Sequence, residues 1–123
     1  MSELRANTIS DAAGTGPVTL TGQSAAKAWV NFNGTGTVAI RESFNVGSIT
    51  DNGTGNYTAN FSSSLSISDF GAVCNAKNSD DDNLDAGHSF VSSSRTTASC
   101  RLRGGTSASV DLDKAIFDLV VMA

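Results

Sequence analysis

Few residues in this 123-residue chain have the chemistry of a catalyst, and the first is its single histidine, His88, in the context Ala-Gly-His-Ser-Phe. A serine hydrolase needs that imidazole beside a serine and a carboxylate, and the strained turn that presents the nucleophile has the form G-x-S-x-G. The sequence holds no such turn, so His88 is expected to be structural or merely exposed. Glycoside hydrolysis needs two carboxylates converging on one bond. The acids here gather in loops instead, and no catalytic residue is expected.

The densest acidic stretch is Lys77-Asn-Ser-Asp-Asp-Asp-Asn-Leu-Asp-Ala-Gly87. Within it Asp81, Asn83 and Asp85 follow the alternate spacing by which a loop offers oxygens to calcium. Counted from Asp81, however, the sixth position is Ala86 rather than Gly and the twelfth is Ser92 rather than Glu. Asp80, Asp81 and Asp82 repel one another, a repulsion that a cation would relieve. A solvated loop is the expected state, and these three residues are the calcium candidates. No other metal or cofactor is expected.

The two cysteines, Cys74 and Cys100, fit no zinc-ligand spacing. Each falls on the apolar face of a strand, Cys74 with Phe70, Ala72 and Ala76, Cys100 with Ala98 and Leu102. Buried thiols behave as small hydrophobes, which is the expected state. A disulfide between them, closed after release into an oxidising medium, is the alternative.

The elements that must position these residues are strands. From Ala26 onward apolar and polar residues alternate with period two, the pattern of a half-covered sheet. Ala28, Val30 and Phe32 share one face. The alternation recurs with Val38 and Ile40, with Phe44 and Val46, with Tyr57, Ala59 and Phe61, and with Leu65 and Ile67. Further strands are expected at 88–91, 98–103, 107–112 and 114–122. The dipeptides Asn33-Gly34 and Asn52-Gly53 signal tight hairpin turns. About eight short antiparallel strands separated by such turns predict an all-β sandwich or jelly roll over residues 26–123. Residues 1–25, with little hydrophobic pattern and an Asp11-Ala-Ala-Gly-Thr-Gly-Pro17 stretch, are expected to form an extended N-terminal arm.

Three residues stand apart from the expected core. Trp29 alternates with Lys27 and Asn31 on the face opposite Val30 and Phe32, so it is either a core residue of a two-sided strand or a subunit anchor, a role in which tryptophan is enriched. The last strand is apolar on both faces, with Ile116 and Val120 opposite Phe117, Leu119 and Val121. Such a strand needs cover on both faces. Trp29, Ile116 and Val120 are therefore the candidate oligomer interface.

Composition narrows the function classes. The chain is 39% hydrophobic and only 16% charged, with a net charge of −4, and its eight Lys and Arg are scattered. No basic stripe exists to neutralise phosphates, which argues against nucleic acid as a partner. The longest apolar run, from Ile116 to Ala123, is far shorter than the roughly 20 residues of a membrane-spanning helix. No membrane insertion is expected. The N-terminus carries no secretory pattern, so synthesis in a cytosol is expected, and the glycosylation sequons at Asn33, Asn52, Asn56 and Asn60 are by-products of Asn/Thr-rich turns.

The run Ala28-Trp-Val-Asn-Phe-Asn-Gly-Thr-Gly-Thr-Val-Ala-Ile-Arg41, continuing through Ser48-Ile-Thr-Asp-Asn-Gly-Thr-Gly-Asn-Tyr-Thr-Ala-Asn-Phe61, resembles a module of tail-fibre and other surface proteins of tailed bacteriophages. About 34 residues carry the resemblance, and the second half of the chain departs from it. It implies a virion structural role, synthesis in a host bacterial cytoplasm with residence on the virion surface, and a homotrimer with no catalytic residues. With no long shaft before the module, a capsid decoration (cement) protein bound to the major capsid protein fits the size. A short tail-fibre or spike tip that binds a host receptor, such as a surface glycan, is the rival expectation.

Overall fold

The computed structural model describes residues 9, 12–13, 21–77, 89–105 and 111–123. Among them the chain forms β1 (Ala26–Asn33), β2 (Ala39–Phe44), β3 (Val46–Asp51), β4 (Asn56–Phe61), β5 (Gly71–Lys77), β6 (Ser89–Thr96), β7 (Ser99–Gly104) and β8 (Ile116–Met122), and no helix. A front sheet runs in the order β2-β1-β8-β5 and a back sheet in the order β3-β4-β7-β6. Every neighbouring pair is antiparallel. The protein is thus an antiparallel β-sandwich whose last strand closes the front sheet between β1 and β5.

Alternation sets the core. β1 turns Ala28, Val30 and Phe32 fully inward, β4 turns Tyr57 and Ala59, β7 turns Cys100 and Leu102, and β8 turns Phe117, Leu119 and Val121. Each large apolar side chain removed from water in this way contributes about 1.5–3 kcal/mol. Phe32 and Phe117, neighbours across the front sheet, stack at 5.0 Å. Tyr57 reaches them edge-on from the back sheet at 5.2 and 4.9 Å. These offset and edge-to-face contacts tie the two sheets together at one end.

The hairpins are longer than the tight turns expected at Asn33-Gly34 and Asn52-Gly53. β1 and β2 are joined through residues 34–38, and the positive φ lies at Gly36 rather than Gly34. Gly34 is needed for another reason: a Cβ there would sit 2.7 Å from the Phe117 ring and 2.9 Å from the Lys114 carbonyl. β3 and β4 are joined through residues 52–55, with positive φ at Gly53 and Gly55.

Other expected strands also change. Phe44 and Val46, read as one face of one strand, belong to different sheets. Asn45 between them takes φ 54°, a left-handed conformation that Asn tolerates better than most residues, and the chain crosses from front to back there. Its side chain holds the crossing by donating to the carbonyls of Lys27 and Ser63 and accepting from the Ser63 amide. The Leu65–Ile67 stretch is not a strand. It carries the chain from β4 to β5, and among the described residues its backbone bonds outward through the Leu65 amide, which donates to the Thr97 carbonyl, while Ile67 is exposed. β8 begins at Ile116 rather than Lys114. Of the strand expected at 107–112, residues 107–110 lie outside the described residues, and Asp111 makes an isolated bridge to Gly105.

Candidate subunit-contact face

Strand register, which no single strand reveals, aligns four apolar side chains on the outer surface of the front sheet. Trp29 on β1 pairs with Phe44 on β2 and with Val120 on β8, and Val120 pairs with Val73 on β5. All four point away from the core residues that alternate with them. The row therefore crosses every strand of the sheet, over roughly 14 Å at the usual interstrand spacing. Phe44 is 54% exposed, Val120 41% and Val73 65%, while Trp29 is half-buried between its neighbours. Met122, also exposed, lies two residues beyond Val120 on the same face.

A polar row runs beside the apolar one. Glu42, Asn31, Asp118 and Asn75 occupy the next register positions across the same four strands. Asn31 donates to the Asp118 carboxylate at 2.6 Å and accepts from Arg41 at 3.3 Å. Arg41 also donates to the Ala115 carbonyl at 2.6 Å. These bonds fix the side chains that border the apolar row.

The outer surface of the back sheet is different. Its cross-strand rows read Ser48, Asn60, Ser99 and Thr96, then Thr50, Thr58 and Arg101. Asn60 donates to the hydroxyls of Ser48 and Thr50 at 3.1 and 2.9 Å, and Asn52 to that of Thr58 at 2.8 Å. Arg101 donates to the Asn56 side chain at 2.8 Å, and Arg103 pairs with Asp111. This face is a lattice of amides, hydroxyls and guanidinium groups.

Burial shifts two titratable groups inside the sandwich. The Tyr57 hydroxyl lies 2.7 Å from the Gly34 carbonyl and 2.5 Å from the Asp113 carboxylate, and Asp113 also accepts from the Gly55 amide at 2.7 Å. Burial, reinforced by the bond to Asp113 and its charge, holds the Tyr57 phenol well above the usual tyrosine range. Cys74 and Cys100 both turn toward the core with no disulfide between them, Cys100 fully buried. Burial pushes the Cys100 thiol up to about 11, with the nearby Cys74 adding to the rise and Arg95 opposing it. A thiol so seldom ionised is a poor nucleophile and a poor metal ligand.

Of the three candidate interface residues, Trp29 and Val120 are brought together as direct partners, and Trp29 lies on the outer face rather than in the core. Ile116 shares that face but sits opposite Lys77, with the Asp118 row between it and Val120. The sequence reading missed Phe44 and Val73. The only signal for Phe44 was the Asn that follows it, and Val73 stood unremarked between the inward Ala72 and Cys74. The calcium candidates Asp81, Asn83 and Asp85, and also His88, lie outside the described residues. Among the described residues no group of three His, Cys, Asp or Glu is placed to hold a metal ion. Comparison of the chain with protein-family models, with curated proteins and with solved structures finds no match.

Proposed function

We propose that the chain is a bacteriophage virion structural protein, a capsid decoration protein that stabilises the head as a homotrimer. The observation that carries self-association is the Phe44–Trp29–Val120–Val73 row. Contiguous apolar surface of this kind, bordered by polar groups, is what protein contacts use. The resemblance of residues 28–61 to phage surface modules supplies the setting. Residues 1–25, the expected arm, most of which lie outside the described residues, would attach to the major capsid protein, and many copies acting together resist internal pressure by avidity.

A second reading, a short tail-fibre or spike tip, is favoured by the back sheet. Its outward amides, hydroxyls and Arg101 offer hydrogen bonds of the kind that bind a host surface glycan. Quantitative gel analysis of purified particles separates the two. A decoration protein is present in hundreds of copies, and its removal lowers the resistance of the head to heat or osmotic shock. A few copies per particle, together with purified protein that blocks adsorption, would replace the first reading with the second. Degradation of a host polysaccharide by the purified protein would contradict both.

A further inference from the structure

The two sheets close up along one side of the sandwich. There β5 of the front sheet brings Cα atoms within 8 Å of Cα atoms on both β6 and β7 of the back sheet, inside the roughly 10 Å at which stacked sheets usually pack. Small side chains allow this approach, because β5 turns Ala72, Cys74 and Ala76 inward. At one point a Cβ on Gly104 of β7 would lie 3.1 Å from that of Ala76. At another, Arg95 on β6 donates to the Phe70 carbonyl at 2.8 Å. Cys74 lies between Phe70 and Ala76 in the chain, and Cys100, the register partner of Arg95, turns inward from β7. The Cys74 charge adds to the upward shift of the Cys100 thiol, a mark of how near the two sulfurs are.

We infer that Cys74 and Cys100 join in one disulfide when the protein meets an oxidant, stapling β5 to β7 across the core. A disulfide needs Cα atoms roughly 4.4–6.8 Å apart, so the closing-up of the sheets on this side is what brings the pair within reach. The oxidant is a small-molecule disulfide such as oxidised glutathione. Half-buried Cys74, as its thiolate, attacks one sulfur of that molecule and expels the first small thiolate. Cys100 then gives up its proton, attacks the Cys74 sulfur and expels the second. One small disulfide is thereby reduced to two thiols, which take up the two electrons and two protons that the protein gives up. Burial slows the second attack, since the Cys100 thiol is seldom ionised. Neither residue lies on the outward apolar row, so the bond forms whether or not the chain associates. It closes a loop over residues 74–100, and restricting the unfolded chain in this way stabilises the sandwich.

The test uses the folded wild-type chain, incubated with oxidised glutathione and then unfolded for mass spectrometry. The expected product is lighter by two hydrogens, carries no glutathione and resists alkylation, and its digest holds a peptide pair joined through Cys74 and Cys100. Its urea midpoint should stand about 1 M or more above that of the reduced chain, and a reductant should abolish the gain. Cys74→Ala treated in the same way should show no gain, with circular dichroism checking that it keeps its strands. A wild-type chain that stops at the glutathione adduct on Cys74, keeps both thiols open to alkylation, or links two copies instead of closing within one overturns the staple. So does a closed bond that lowers the midpoint.

Discussion

Across the front sheet the outward register positions read Phe44, Trp29, Val120 and Val73, whereas across the back sheet a matching row reads Ser48, Asn60, Ser99 and Thr96. Both sheets bury their inner faces by the same period-two alternation, so the inner residues say only that a sandwich forms. The outer residues differ because their surroundings differ. A half-buried tryptophan flanked by an exposed Phe and two exposed valines leaves apolar area in water, at about 25 cal/mol per Å². The back face has no such deficit, since its amides and hydroxyls bond to one another and to solvent. On the function proposed above, the front face is the protein contact and the back face is left to water or to a polar ligand.

The largest effect should come from placing charge in the apolar row. Val73→Asp with Val120→Asp is expected to raise the dissociation constant on the order of a hundredfold or more, because a carboxylate desolvated in an apolar contact is uncompensated. Thr50→Asp with Thr58→Asp on the back sheet should leave assembly unchanged. Equal losses from the two pairs, followed by light scattering or sedimentation, would erase the distinction between the faces. Ile116→Asp should weaken assembly less than Val120→Asp, because Ile116 lies beyond the Asp118 row.

A smaller effect concerns the link between the sheets. Tyr57→Phe keeps the ring contacts with Phe32 and Phe117 but leaves the Gly34 carbonyl and Asp113 without the hydroxyl, and should cost about 1–3 kcal/mol in a urea titration. Both faces depend on this link, so stability should fall without any change in which face associates.

Alkaline pH should act in the same direction. The folded Cys100 thiol keeps its proton up to about 11, above its ordinary value of 9.0. Its stabilising contribution is therefore complete below about pH 9, and it is lost as pH rises toward 11, since the unfolded chain releases its proton first. Tyr57, raised for related reasons, adds to the same trend. The urea midpoint of the wild type should fall across that window, and Cys100→Ala should flatten the slope. The smallest effect is expected for Asn60→Ala, an exposed lattice residue whose loss should shift stability by no more than about 0.5 kcal/mol.

Much of the fold was legible because four strands bury strictly alternate residues. β1, β4, β7 and β8 could be read from Ala28-Val30-Phe32, Tyr57-Ala59, Cys100-Leu102 and Phe117-Leu119-Val121 alone. Phe44 could not, because the left-handed Asn45 moves the chain from one sheet to the other while the letters still alternate. Leu65 and Ile67 misled for the opposite reason: their spacing suits a strand, yet the segment turns the sandwich edge and, among the described residues, bonds outward through the Leu65 amide. The outward apolar row was half legible. Alternation identifies Trp29, Ile116 and Val120 as outward, but only the register between strands shows that Trp29 and Val120 touch one row, that Phe44 and Val73 complete it, and that Ile116 stands apart.

The chain has one tryptophan, and it lies in the row at issue. Quenching of Trp29 fluorescence by acrylamide, measured against protein concentration beside the sedimentation mass, therefore reports on the front face alone. The expected result is strong shielding and blue-shifted emission where the mass is three times the 12.6 kDa of one chain, both lost on dilution to the monomer. An assembled species in which Trp29 is quenched as readily as in the monomer would contradict the assignment of this face.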